Sequence, residues 1–191
     1  MEYNSLIAQV NNELITKGYP LASKRAREWL FLRLKEMRMT PRTLMKDIDR
    51  QKRNILIGNM YFFFYHAKYN DTLPFWDKFP LVIPLEKYSD GFLGLNLHYV
   101  PTRLRLMILS KLSKKINNKK MDETTRMRVS YDYISSLKNA DIFKPCIKRY
   151  LTSQVRSRYV VINPDEWYFS CLLPFERFQK KTKKEILGIL G

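Results

Sequence analysis

Imidazole is scarce in this chain. His66 and His98 are its two histidines, and neither stands in an HxxH or HExxH spacing. Each ends an aromatic-rich run, where a hydrogen-bonded structural role is expected, and two histidines without a cysteine cluster leave no zinc ligand set. Carboxylates offer the other route to chemistry. Asp77-Lys78, Glu86-Lys87 with Asp90, and Asp165-Glu166 are the groups from which a Mg²⁺-dependent nuclease would need converging ligands. A structural role explains each of them more simply. Asp90 belongs to a turn, Asp165 and Glu166 to a helix start, and Asp77 anchors a proline-rich loop. No serine or threonine has His and Asp partners at a recognisable spacing, and there is no GxxxxGK[ST] phosphate loop. Gly91 and Gly94 lack the third glycine and the following helix of a dinucleotide site. The expectation is a protein without catalytic residues, metal, cofactor or small-molecule substrate; the enzyme alternative is a nuclease acting through Asp77 or Glu86.

What the sequence supplies in quantity is positive charge. Its 191 residues hold 35 Lys plus Arg against 18 Asp plus Glu, a formal net charge of +17. So strong an excess repels itself, and an anionic partner relieves it: nucleic acid, an acidic protein surface or anionic lipid. The charge is unevenly placed. Residues 23–53 carry eleven basic and four acidic side chains, whereas residues 71–101 carry two basic and four acidic ones. Residues 102–120 hold seven cations and no carboxylate, and residues 177–184 hold five cations. The candidate binding residues are Arg25, Arg27 and Arg33, then Lys111, Lys114 and Lys115, then Lys148, Arg149, Arg156 and Arg158. Trp29, Tyr150, Tyr159 and Phe178 interleave with the basic segments, as in surfaces that neutralise phosphates and pack beside them. No zinc finger, RNP motif or GXXG loop accompanies them, so any nucleic-acid contact should be to the backbone. Acidic neighbouring subunits are the alternative destination for these charges.

The elements that must carry these residues are legible in part. Hydrophobic content of 45% excludes disorder, and the length suits one globular domain. Within it, residues 1–54 read as a basic helical arm, 55–100 as a β-rich platform and 101–191 as a helical part packed on that platform. Ser23 caps a helix with Ala26, Trp29, Leu30, Leu34 and Met37 on one face, ending at Thr40-Pro41. A shorter helical stretch follows over Thr43–Arg53. Ile55–Tyr65 reads as a strand apolar on both faces and so covered on both. Phe79–Leu85 and Phe92–Tyr99 form a hairpin with a loop of about five residues, the first strand confined by Pro74, Pro80 and Pro84 to an edge or a broken ladder. Pro101 opens a helix that ends near Asn117-Asn118. Asp122–Leu137 reads as another, although Arg128–Tyr133 also suits a strand. Lys144–Val155 reads as helix, Arg158–Ile162 as strand, and Asn163-Pro164-Asp165-Glu166 as a helix start. The fold class is α+β, a small bent antiparallel sheet of about three to five strands surrounded by helices. Cys146 and Cys171 read as reduced core residues. No stretch approaches 18 uncharged apolar residues, so no membrane partner is expected, and the N-terminus lacks a signal-like pattern, consistent with assembly inside a cell.

Several strings are more specific than a pattern: Gly58-x-Met60-Tyr-Phe-Phe-Phe-Tyr65-x-x-Lys68, Asp71-Thr-Leu-Pro-Phe-Trp-Asp-Lys-Phe-Pro-Leu-Val-Ile-Pro84, Ser89-Asp-Gly-Phe-Leu-Gly-Leu-Asn-Leu-His-Tyr99, Lys144-Pro-Cys-Ile-Lys-Arg-Tyr150 and Val155-Arg-Ser-Arg158. Over about residues 55–178 the chain resembles virion proteins of T-even-like contractile-tailed bacteriophages, several of them labelled DNA end protector proteins. The resemblance implies a non-enzymatic structural protein of the virion, assembled in the host cytoplasm. It implies shielding of packaged double-stranded DNA ends at the head–tail vertex, with portal, neck, tail or baseplate subunits as partners. The alternative within the same resemblance is a tail, neck or baseplate subunit with no DNA contact.

Overall fold

The structure is a computed structural model that describes residues 5–20, 23–116, 122, 125, 128, 131–133, 136 and 141–189, without the side chains of residues 113–116. Its strands are β1 (Gln51–Lys52), β2 (Met60–Phe62), β3 (Trp76–Asp77), β4 (Leu81–Tyr88), β5 (Gly91–Asn96), β6 (Ile147–Leu151), β7 (Tyr159–Ile162) and β8 (Phe178–Gln179). Six of them form an antiparallel sheet in the order β1, β7, β2, β4, β5, β6, and β3 pairs with β8 in a separate ribbon. The class is the expected α+β, with six strands in the main sheet where about three to five were expected.

Alternation along the strands divides the apolar residues between two clusters. Met60, Phe62, Leu81, Ile83, Leu95, Val160 and Ile162 belong to a mostly aliphatic core with helices α1 (Leu6–Thr16), α2 (Lys24–Glu36) and α4 (Thr102–Ile116). Tyr61, Phe63, Val82, Phe92, Tyr150 and Tyr159 belong to a second, aromatic cluster covered by loops. The Met60–Tyr65 run is therefore covered on both faces, as its composition predicts. Glu13 on α1 accepts two guanidinium bonds from Arg33 on α2, at 2.6 and 2.8 Å, which fixes the pair of helices against each other.

The local signals at helix starts hold. Ser23 Oγ accepts from Ala26 N at 3.0 Å. Thr40 and Thr43 cap the short helix α3 (Pro41–Leu44), and Asn163 and Glu166 form a reciprocal cap before α5 (Trp167–Ser170). The described residues Thr125, Arg128, Tyr131–Tyr133 and Ser136 are helical, with Thr125 N donating to Asp122; Asn117, Asn118 and the remainder of that stretch lie outside the described residues. The chain closes on α6 (Lys183–Ile189).

Three expectations about helices and turns are corrected. Lys144–Val155 is not one helix: a 3-10 turn at Asp141–Cys146 leads into β6, because Lys148 and Arg149 lie along the hydrogen-bonded edge of β5. The β4–β5 loop has two residues, Ser89 and Asp90, since Tyr88 pairs with Gly91. Of the two outcomes expected for β4, the broken ladder is the one found: the strand is central, and its pairing is interrupted at Pro84. The Pro84 carbonyl accepts from Gly58 N at 3.2 Å, and in an antiparallel strand its nitrogen faces the same side, where β2 has not yet begun and no ladder bond is lost. A bulge follows between Pro84 and Glu86. The Thr43–Arg53 stretch is likewise broken, into α3, a 3-10 turn at Ile48–Arg50 and β1.

Candidate nucleic-acid interface

Segment 65–76 stands away from β6 and leaves a cleft of about 520 Å³. Tyr65, Tyr69, Phe75, Trp76, Tyr99 and Tyr150 line it with rings, Lys68, Lys148 and Arg149 with cations, and Asp77 and Asp90 with carboxylates. Pairing of Trp76-Asp77 with Phe178-Gln179 holds the far wall. Lys180, next along, takes a left-handed backbone with φ 67°, which aims its ammonium at the Asp71 and Leu73 carbonyls, 2.8 and 2.9 Å away, and so ties down the loop. The near wall depends on Gly91: a Cβ there would lie 1.9 Å from the Tyr150 carbonyl oxygen, so only glycine lets β6 close on β5.

Under the cleft runs a buried polar chain. Asp77 accepts from Phe79 N at 3.1 Å and from Asn96 Nδ2 at 3.2 Å, and its Oδ2 lies 2.7 Å from His98 Nδ1. Asn96 Nδ2 also donates to the Tyr150 hydroxyl at 3.0 Å. Asp77 thus anchors its loop and His98 is a hydrogen-bonded structural residue, as the sequence suggests. Burial raises the Tyr150 and Tyr99 phenols far above the ordinary tyrosine range, so both stay neutral.

Charge in the cleft is not balanced. Asp90 is paired with Arg149, whose guanidinium also stacks 4.1 Å from the Tyr88 ring centre. Asp77 is filled by the partners above. Lys148, half-buried, has no carboxylate within ion-pair distance among the described residues. Its ammonium lies 4.4 Å from the Tyr99 ring centre and 5.9 Å from that of Phe75. Burial lowers its pKa below the ordinary lysine value. Lys181 lies 5.9 Å from Phe75, and Lys68, exposed, lies 5.3 Å from the Tyr69 ring.

The other sequence-predicted cations are dispersed. Arg156 and Arg158 are exposed on the connection from β6 to β7, which is fastened to the cleft wall by Arg156 N donating to Phe64 O and His66 N to Gln154 O. Arg25 and Arg27 are exposed on α2, Arg25 stacking 4.4 Å from the Tyr19 ring. Arg33 is engaged by Glu13 and Glu36. Lys111 is exposed on α4; Lys114 and Lys115 belong to the same helix, and their side chains lie outside the described residues. The structure therefore brings Lys148 and Arg149 to the cleft, puts Arg156 and Arg158 on the connection that follows β6, and leaves α2 and α4 as separate cationic faces.

Arg105 is different again. By sequence it belongs to the basic segment of α4, yet it is 1% exposed, bonded to the carbonyls of Val100, His98 and Cys171 and to Glu176 at 2.9 Å. Glu176 also takes Lys183 at 2.6 Å. Burial alone would raise the Glu176 carboxyl, but His98, Arg105 and Lys183 hold it down at about 2. Among the described residues no three His, Cys, Asp or Glu side chains gather into a group able to hold a metal.

An aromatic cleft with an uncompensated cation is what a nucleic-acid protein requires, but the geometry does not name a family. A family model described as phage T4 terminal DNA protecting protein matches residues 12–186. The chain belongs to that family. No curated protein and no solved structure matches it. The match extends to both sides of the segment whose strings carry the resemblance, and takes in part of α1 and all of α2, where the sequence pattern shows only a basic arm. No sequence signal marks Tyr69, Phe75 and Trp76 as cleft residues rather than core. The nearest to one is the placing of Lys68 beside Tyr69, and of Phe75-Trp76 just before the buried Asp77.

Proposed function

We propose that the protein is a non-enzymatic phage virion component that binds the ends of packaged double-stranded DNA at the head–tail vertex and shields them by occlusion. Membership of a terminal DNA protecting family is the observation that carries this reading. Arg25, Arg27, Arg33, Lys111, Lys114, Lys115, Lys148, Arg149, Arg156 and Arg158 are the proposed phosphate-facing set. Lysine and arginine neutralise phosphates near the terminus, and an exonuclease cannot thread an end that the protein covers. Among these, Lys148, Arg149, Arg156 and Arg158 act together around the cleft. Arg33 contributes chiefly by holding α2 in place.

The test is filter binding of linear duplex DNA over a salt series, followed by exonuclease challenge of the complex. Binding should weaken with a steep logarithmic salt slope, and the Arg156→Ala/Arg158→Ala pair should reduce that slope by about 2. No binding at low salt, or degradation at the rate of free DNA, sinks the reading. The second reading is a portal, neck, tail or baseplate subunit that touches no DNA. Phe31 and Leu32, 60% and 58% exposed on α2, favour a protein neighbour on that face. The position of the protein in a virion reconstruction, on or away from the DNA path, separates the two.

A further inference from the structure

We propose that the cleft between residues 65–76 and β6 is the seat of a single unpaired nucleotide at the DNA terminus, its base against the Tyr69, Phe75 and Trp76 rings and its phosphate on Lys148. This rests on the DNA-end reading above and says where on the molecule an end is recognised as an end.

The argument is one of size, charge and chemistry. The cleft measures about 520 Å³. A cube of that volume is about 8 Å on a side, whereas the major groove of B-DNA alone is about 12 Å wide, so duplex cannot enter and one frayed nucleotide can. The lining matches the two halves of a nucleotide. Ring faces accept any base by stacking, without reading sequence, which suits a terminus of arbitrary sequence. Lys148 supplies the phosphate half: its charge is partly withdrawn from water, lies over Tyr99 and meets no carboxylate among the described residues. Of the acids of the cleft, Asp90 is neutralised by Arg149, and the buried Asp77 has its oxygens engaged by Phe79 N, Asn96 and His98. An acidic peptide would satisfy Lys148 but leave the ring faces unused. Internal DNA offers no unpaired nucleotide at all, so insertion discriminates ends from the rest of the genome.

The experiment uses the full chain and a short duplex carrying 2-aminopurine as a one-nucleotide 3′ or 5′ overhang, or at an internal pair. Protein should quench an overhang probe and leave the internal probe unchanged. Lys148→Gln and Tyr69→Leu should each weaken overhang binding about tenfold, the scale of one charge-assisted contact or one stacked base. Tyr69→Leu should change affinity for covalently closed circular duplex less than about twofold. Tyr69 is 62% exposed, so its variant tests the cleft even where Lys148→Gln perturbs folding. Equal quenching of overhang and internal probes overturns the proposal. So does wild-type overhang affinity in Tyr69→Leu, or displacement of the probe by poly-glutamate at equal charge concentration. Absence of binding to every probe at low salt overturns the DNA-end reading itself, a failure distinguishable from the others.

Discussion

The aliphatic and aromatic clusters of this protein treat charge in opposite ways. On the helix-covered side, cations that approach the core meet carboxylates: Arg33 meets Glu13, Arg50 meets Glu166 at 2.5 and 2.8 Å, and Arg105 meets Glu176. On the loop-covered side, Tyr150 packs edge to face on Phe63 and Tyr65, at ring separations of 5.4 and 5.0 Å, and stacks on Phe92 at 5.3 Å. Beside that cluster, Lys148 is left over rings alone, without a carboxylate among the described residues. Paired buried charges tie elements together, whereas an unpaired one beside a cleft is available to something else. A net charge of +17 is therefore a poor guide to where an anion binds, because part of it is structural.

The difference can be broken from the paired side first. Arg105→Met should destabilise by about 3–5 kcal/mol in urea unfolding, because it strips three buried carbonyls of their donor and leaves the Glu176 carboxylate with Lys183 alone. Acid should act on the same pair. The Glu176 carboxyl is held at about 2 in the fold against 4.5 ordinarily, so its contribution is complete above pH 4.5 and is lost as pH falls towards 2. That difference is worth about 3 kcal/mol between about pH 5 and pH 2, and Glu176→Gln should flatten this part of the stability curve. On the aromatic side the effects are smaller. Tyr150→Phe removes one hydroxyl from the Asn96 chain and should cost about 1 kcal/mol by thermal unfolding, with the ring packing intact. Least of all should change in the thiols. Burial raises Cys146 to about 11 and Cys171 to about 12, so neither should react with a thiol reagent at about pH 8 until the chain unfolds.

Short-range signals carry much of the fold. Ser23, Thr40-Pro41 and Asn163-Pro164 each act within a turn of themselves, and the structure places helix starts at all three. Residues 147–151 mislead because Ile147, Tyr150, Leu151 and Val155 fall at helical spacing. Their actual alternation puts a long cationic side chain on each face of an edge strand, Arg149 exposed and Lys148 half-buried over rings. Pro84 is legible as a break in the ladder but not as part of a central strand: its missing donor faces a gap that only the tertiary arrangement creates. Of the candidate binding set, the placing of Arg156 and Arg158 depends on a connection fastened to residues 64–66, which no local pattern encodes. The pairing of Arg33 with Glu13 and the burial of Arg105 are likewise events between distant segments.

The order of the strands also has a consequence in time. Met60 pairs with Ile162 and Gln51 with Val160, partners separated by about a hundred residues. At a synthesis rate of about 5–20 residues per second, that is a wait of about 5–20 seconds. During it the β4–β5 hairpin can form, and β2 can join β4, but β1 has no neighbour and the rings of Tyr61 and Phe63 lack Tyr159. The cleft comes later still, since Phe178, Gln179 and Lys180 close its far wall. A nascent chain therefore presents its cations well before it has anywhere to put a nucleotide, and its hold on DNA ends should appear only once residues 159–180 have left the ribosome.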